Sequence, residues 1–263
     1  MRQINLCGDK QEIGRVAARQ AAHLLESAIA AKGSAVFVAA TGASQFEFLD
    51  ALARETAIDW SRTTLFHLDE YVGLPSSHRA SFRRYLRERL IDRVHPGSVH
   101  LIEGDAASPQ QECGRLNALI SQVTVDVAFV GIGENGHLAF NDPPADFRTD
   151  VPYAVVDLDE RCRRQQVGEG WFAGLGEIPR QAISMSIRQI MKARSVICVV
   201  PDARKSDAVA HCLEGEISVD WPASILRMHP DVYYYLDKPS ATGLTSEATL
   251  AQSAPRIEAE WRS

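Results

Sequence analysis

The stretch Val127-Ala128-Phe129-Val130-Gly131-Ile132-Gly133-Glu134-Asn135-Gly136-His137-Leu138-Ala139-Phe140-Asn141-Asp142-Pro143 decides how the chain reads. An apolar run enters a glycine-rich turn that carries a histidine, and a carboxylate follows it at Asp142. Glycines let a backbone approach a ligand closely or take up positive φ. In an open α/β sheet, ligands bind beyond the carboxyl ends of the strands. Histidine is the residue type that exchanges protons near neutral pH, and Asp142 is placed to orient the His137 imidazole, as carboxylates do in catalytic pairs. This turn is therefore the first candidate for an active site.

Outward from it, short apolar runs alternate with helical stretches. Strands are expected at Ala35–Ala40, Thr63–Leu68, Val99–Ile102, Val125–Val130, Tyr153–Leu158, Ala182–Ser186, Val196–Val200 and Val232–Leu236. Helical spacing over Ile13, Val16, Ala17, Ala21, Leu24 and Leu25 predicts a helix across Asp9–Ala31. Further helices are expected at Ser44–Ala53, Ser81–Val94, Pro109–Ser121, Ile187–Lys192 and Ala203–Leu213. The alternation predicts an α/β fold of three layers, a mostly parallel sheet with helices on both faces. One catalytic domain over residues 1–238 is expected, with a peripheral tail over 239–263 that holds a small helix near Ile257–Trp261.

Composition narrows the function classes. A net charge of −6 over 263 residues gives no electrostatic footprint for nucleic acid. The arginine-rich segment Arg83–Arg93 does not change this, because Leu86, Leu90, Ile91 and Val94 fall on one side and leave the arginines as a solvated face. No apolar run approaches the ~18–20 residues that span a bilayer, and the first residues lack the apolar core of a signal peptide. No membrane partner and a cytoplasmic location are the expectations. The five cysteines are scattered without CxxC spacing, which argues for reduced thiols rather than disulfides or structural zinc.

Other strand ends also carry chemistry-bearing residues. Thr41, Gly42, Ala43 and Ser44 lie between a strand and a helix, where small residues and hydroxyls suit an anion; the same pattern serves as an ordinary N-cap. Asp69 and Glu70 close the next strand, and a carboxylate desolvated there suits a general base that takes a carbon-bound proton. His67 with these acids makes a poor metal set, since Glu70 points away from the other two. Lys205 opens a helix after a further strand, and the run Arg161–Gln166 supplies more cations. The glycines Gly168, Gly170, Gly174 and Gly176 suit either a moving lid or an ordinary loop.

In this order, Thr41-Gly42, Leu68-Asp69-Glu70-Tyr71-Val72-Gly73-Leu74-Pro75, Gly131-Ile132-Gly133 with Asn135-Gly136-His137, and Ala139-Phe140-Asn141-Asp142-Pro143 resemble the glucosamine-6-phosphate deaminase (isomerase) and 6-phosphogluconolactonase family. The Phe140-Asn141-Asp142-Pro143 ending looks deaminase-like. The resemblance implies a modified Rossmann-type fold, no metal, no cofactor, and a hexosamine phosphate as the small-molecule partner. It implies conversion of glucosamine 6-phosphate or a close relative to a keto-sugar phosphate and ammonia, often in homo-oligomers. Asp69 would move the proton between C2 and C1, with Glu70 beside it, and His137 would open the sugar ring, oriented by Asp142. Thr41, Gly42, Ala43 and Ser44 match the phosphate loop and Lys205 a phosphate-contacting lysine, with Gly133 and Gly136 in the substrate-binding turn. Asn135 stands where deaminases usually carry an aspartate, Asp142 is one methylene shorter than the usual glutamate, and Arg164 is the stand-in for the usual phosphate arginine. The rival expectations are a lactone hydrolase using His137 to activate water, and a sugar-phosphate-binding regulator that has lost the chemistry.

Overall fold

The runs Ala35–Ala39, Val127–Val130 and Ser195–Val200 are buried at every position. Strands covered on both faces read as continuous apolar runs, and these three form the middle of the sheet. The computed structural model describes residues 2–245. The first half comprises β1 (Arg2–Cys7), α1 (Lys10–Lys32), β2 (Ala35–Ala39), α2 (Phe46–Leu52), β3 (Thr63–His67) and β4 (Asp69–Tyr71). Then come α3 (Phe82–Leu86), α4 (Asp92–Val94), β5 (Ser98–His100), α5 (Pro109–Ile120), β6 (Val127–Val130) and β7 (Tyr153–Asp157). The rest is α6 (Glu160–Gly168), β8 (Gln181–Met185), α7 (Ile187–Ile190), β9 (Ser195–Val200), α8 (Ser206–Glu214) and β10 (Val232–Asp237).

Seven parallel strands lie in the order β1-β10-β9-β6-β2-β3-β5, and a smaller antiparallel sheet has the order β4-β8-β7. Successive residues of β2 face opposite cores, as the two-residue period of a strand requires. Phe37 packs with Ile13 of α1 and Phe48 and Leu49 of α2, whereas Val36 and Val38 join the core that holds Leu116 and Ile120 of α5 and Val209 of α8. The expected three-layer α/β architecture is present. Asp9 caps α1 by accepting from the Glu12 N–H at 2.8 Å, while Glu12 reaches back to the Gly8 N–H.

Several elements depart from the sequence reading. β1 was not expected, although Gln3-Ile4-Asn5-Leu6 alternates polar and apolar residues, and it pairs in parallel with β10 from Arg2↔Val232 to Cys7↔Asp237. β4 spans only Asp69–Tyr71 and is made a strand by β8, with Asp69 opposite Ser184. The helix expected over Ser81–Val94 holds a π-helical segment, Arg87–Ile91, between α3 and α4. Its arginines are not uniformly solvated: Arg83 is buried among Glu70, Glu103 and Asp105. After β10 the chain stays packed, with Ser240, Ala241 and Leu244 buried. The helix expected near Ile257–Trp261 lies outside the described residues. No helix among the described residues is long and apolar enough to cross a membrane.

Phe129 joins the two layers of one face, with its ring 5.6 Å from Phe37 and 5.0 Å from Phe48 at full burial. Phe129→Ala is expected to lower unfolding free energy by about 3–5 kcal/mol, measured as a fall in the urea midpoint.

Candidate active site

Neighbouring strands β3, β2, β6 and β9 end side by side, and the candidate residues follow their carboxyl ends. Between β2 and β6 the strand order reverses, the place where α/β sheets open a crevice. A cavity lies there, lined by Thr41, Gly42, Ala43, Ser44, Asp69, Gly133, His137 and Lys205, among others. The predicted phosphate loop, base, histidine and lysine therefore share one wall.

The loop after β2 turns on Gly42, whose φ of 95° is a conformation side-chain-bearing residues rarely adopt. Beneath it the buried Gln45 amide extends toward the Val130 and Val199 carbonyls at 3.5 and 3.4 Å, tying the ends of β6 and β9 to the loop. The Tyr85 hydroxyl donates to the Gly42 carbonyl at 3.0 Å. Thr41 Oγ1 is buried with no hydrogen-bond partner although Thr41 lines the cavity, an arrangement suited to a ligand. Lys205, also nearly fully buried, faces the same space. Burial pushes its ammonium down, against the pull of Glu169 and Glu134.

Asp69 sits where the chain leaves the large sheet for the small one, fixed by the Leu68 N–H on the Ala39 carbonyl and the Met185 N–H on the Leu68 carbonyl. Its carboxyl is pushed up to about 8 by burial and then by the charge of Glu70. Glu70 itself does not line the cavity. It accepts from the backbone N–H groups of Tyr71, Phe82 and Arg83 and from the Ser81 hydroxyl, with the Arg83 guanidinium 3.6 Å away. Burial raises the Glu70 carboxyl while those donors oppose the rise. Glu70 thus anchors the start of α3 and acts on the cavity only through its charge.

The turn after β6 is closed by the Gly133 N–H on the His137 carbonyl at 3.0 Å. A methyl group at position 133 would fall 2.3 Å from the His137 ring, so glycine is what lets the imidazole lie across this backbone. Gly136 lies beyond the wall, packed on Trp221. His137 Nδ1 is 3.3 Å from Asp142 Oδ1, an ion-pair approach rather than an aligned hydrogen bond. The shorter aspartate therefore reaches the histidine. Burial opposes ionisation of Asp142, but the His137 imidazole, the Asp159 N–H and the Asn135 amide hold its carboxyl below the usual range. Asn135 does not touch the imidazole by hydrogen bond. Its oxygen accepts from the His137 backbone N–H at 3.2 Å, and its nitrogen is shared between Asp142 and Asp159 at 3.1 and 3.3 Å. A neutral donor between two carboxylates relieves a repulsion that a third acid would increase.

Arg164 is not part of this wall. It is exposed and paired with Glu160 one helical turn away. Instead α6 turns Gln165 and Gln166 toward the cavity, with Glu169 just beyond its end. Gln165 accepts from the Glu134 N–H at 2.9 Å and Gln166 from the Tyr71 hydroxyl at 2.8 Å. His137, Asp142 and Cys162 bring their ligand atoms within 4.8 Å of one another, but burial and the charges of Asp142 and Asp159 push the Cys162 thiol well up, away from the thiolate that a metal ion binds.

The model for the family of glucosamine-6-phosphate isomerases and 6-phosphogluconolactonase matches residues 8–234. The chain belongs to this family. Similar members include the glucosamine-6-phosphate deaminase of an Exiguobacterium species, 38% identical over 226 residues, with 86% of this chain and 87% of that protein covered. The deaminase of Bacillus cereus is 36% identical over 225 residues, covering 86% of this chain and 84% of that one. A solved monomeric glucosamine-6-phosphate deaminase superposes with a TM-score of 0.84 at 29% identity, covering 92% of this chain and 100% of that one. A 6-phosphogluconolactonase from Shewanella baltica shares the fold, with a TM-score of 0.76 at 17% identity over 90% of this chain and 98% of that one. Within this family fold, the strand ends of this member place a carboxyl, an imidazole and an ammonium in one cavity.

Gly133→Ala is expected to displace the His137 ring while leaving the fold standing. The test is a shifted His137 side-chain resonance in a ¹H–¹⁵N spectrum with a thermal midpoint within a few degrees of the parent, as for a change of roughly 1 kcal/mol.

Proposed function

We propose that the protein converts glucosamine 6-phosphate into fructose 6-phosphate and ammonia. The observation that carries this reading is the buried Asp69 carboxyl, raised to about 8, facing the cavity that His137 and Lys205 also line. A base whose pKa lies near the working pH is well matched to taking a carbon-bound proton. The deaminases with which the chain is 38% and 36% identical over 226 and 225 residues support the substrate.

The chemistry follows from placement. Thr41–Ser44 and Lys205 hold the phosphate, and this remote binding energy positions the sugar's reacting end against Asp69. His137, oriented by Asp142, moves the proton from O1 to O5 that opens the ring. Asp69 then takes the C2 proton and returns it to C1 while the substrate ammonium gives up a proton that ends on O1, which turns the aldehyde into a hydroxymethyl group and the amine-bearing carbon into an iminium. Water adds at C2 and ammonia leaves. Each step is proton transfer or hydration.

Purified protein given glucosamine 6-phosphate should release ammonia and fructose 6-phosphate in equal amounts; lactone hydrolysis without ammonia would replace this reading. Asp69→Asn should lower kcat by about 10³-fold, in the range general acid–base catalysis supplies, with substrate binding by calorimetry retained. The pH profile of kcat/KM should rise as Asp69 ionises, its acid limb displaced from the carboxylate range toward about 8. Stability carries the matching sign. A raised carboxyl favours the folded state while protonated, and that contribution fades as pH climbs from the ordinary aspartate range to about 8. The thermal midpoint of Asp69→Asn relative to the parent should therefore increase from pH 4 to pH 8 and level off above it.

A further inference from the structure

The anion end of the cavity contains an acid as well as a cation. Among the described residues lining the cavity, Lys205 is the cation, and Glu169 faces the same space. A Cβ at Gly42 would lie 4.0 Å from Glu169 Oε2, so this carboxylate stands directly over the phosphate loop. It is held there from its own segment: Gln165 Nε2 donates to Oε1 at 2.8 Å and Trp171 Nε1 to Oε2 at 3.2 Å. Trp171 in turn docks edge-on against Phe46 and Tyr85, and Arg79 donates to the Gly170 and Trp171 carbonyls. The segment after α6 is thus latched over the loop with a negative charge pointing in. Independently, the partnerless Thr41 Oγ1 on the same wall marks a place prepared for a ligand atom.

We propose that Glu169 is an internal competitor for the phosphate, a carboxylate that occupies the anion end until the substrate displaces it and so sets how much the phosphate contributes to binding. The proposal rests on the sugar-phosphate reading above and deepens it. A phosphate monoester carries about −1.5 to −2 charge near neutral pH, so Glu169 opposes it directly and also engages the charge of Arg204, which shares an adjoining cleft with Ser44, Glu169 and Lys205. Entry of the phosphate therefore breaks the Glu169–Trp171 hydrogen bond and swings the segment outward. Glu169 lowers affinity for phosphorylated sugars while leaving the steps at Asp69 and His137 untouched.

The experiment compares the parent with Glu169→Gln, which keeps the shape and the acceptor for Trp171 but removes the charge. Inorganic phosphate is titrated by calorimetry and by tryptophan emission, with Trp171→Phe identifying the Trp171 share of the signal. The expected result is phosphate binding tighter by at least about tenfold in Glu169→Gln, the scale of relieving a like-charge contact, with a phosphate-dependent emission change that Trp171→Phe loses. KM for glucosamine 6-phosphate should fall by a similar factor at nearly constant kcat, while KM for unphosphorylated glucosamine stays in place. Equal or weaker phosphate affinity in Glu169→Gln overturns the proposal. The phosphate titration needs no turnover, so an absence of ammonia release would remove the proposed reaction without deciding this question.

Discussion

Parallel pairing with a reversal of strand order is the constraint on which everything else in this molecule depends. Parallel strands all end on the same side, and the reversal between β2 and β6 keeps their exit segments from closing over one another. The loop after β2, the acid after β3, the histidine turn after β6 and the lysine after β9 meet for that reason. Residues as far apart in sequence as Thr41 and Lys205 become neighbours without a long excursion of either loop. The buried helices on both faces pay the entropy of ordering this arrangement.

A second layer of support tunes what the sheet assembles. Glu70 is the clearest case. Its carboxyl is surrounded by donors from Tyr71, Ser81, Phe82 and Arg83, and it sits next in sequence to Asp69, which lines the cavity. One buried charge thereby organises the start of α3 and helps raise its neighbour. Asn135 works in the opposite direction, placing a neutral amide where Asp142 and Asp159 would otherwise repel. The anionic character of the site is distributed by these two residues, neither of which touches the cavity.

The sequence was most informative where burial forces a pattern. The central strands are covered on both sides, so their apolar runs announced them, and the polar residues that follow each run were legible as a site. Asp69, His137 and Lys205, which line one cavity, stood out in this way. Glu70 was harder to place, because a carboxylate at a strand end looks the same whether it faces a cavity or donors eleven to thirteen residues away. Arg164 failed for a related reason. A short polar helix with few apolar residues has no stripe to set its rotation, so nothing in Arg161–Gln166 told which side chains turn inward. Gln45, Gln165, Gln166 and Glu169 carried no local signal at all; their places depend on contacts made across the fold.

All five cysteines are buried, and burial pushes their thiols upward, Cys7 and Cys212 to about 12 and Cys113 to about 11. Thiolate, the form that reacts, is scarce in each of them. Burial and a scarce thiolate both slow attack by alkylating agents on the folded chain. Cys198 and Cys212 lie in the central core on the α8 side, whereas Cys162 lies on the buried face of α6, the helix whose Gln165 and Gln166 line the cavity. Reaction at Cys198 or Cys212 therefore requires the central core to open, and reaction at Cys162 requires the packing of α6 to open.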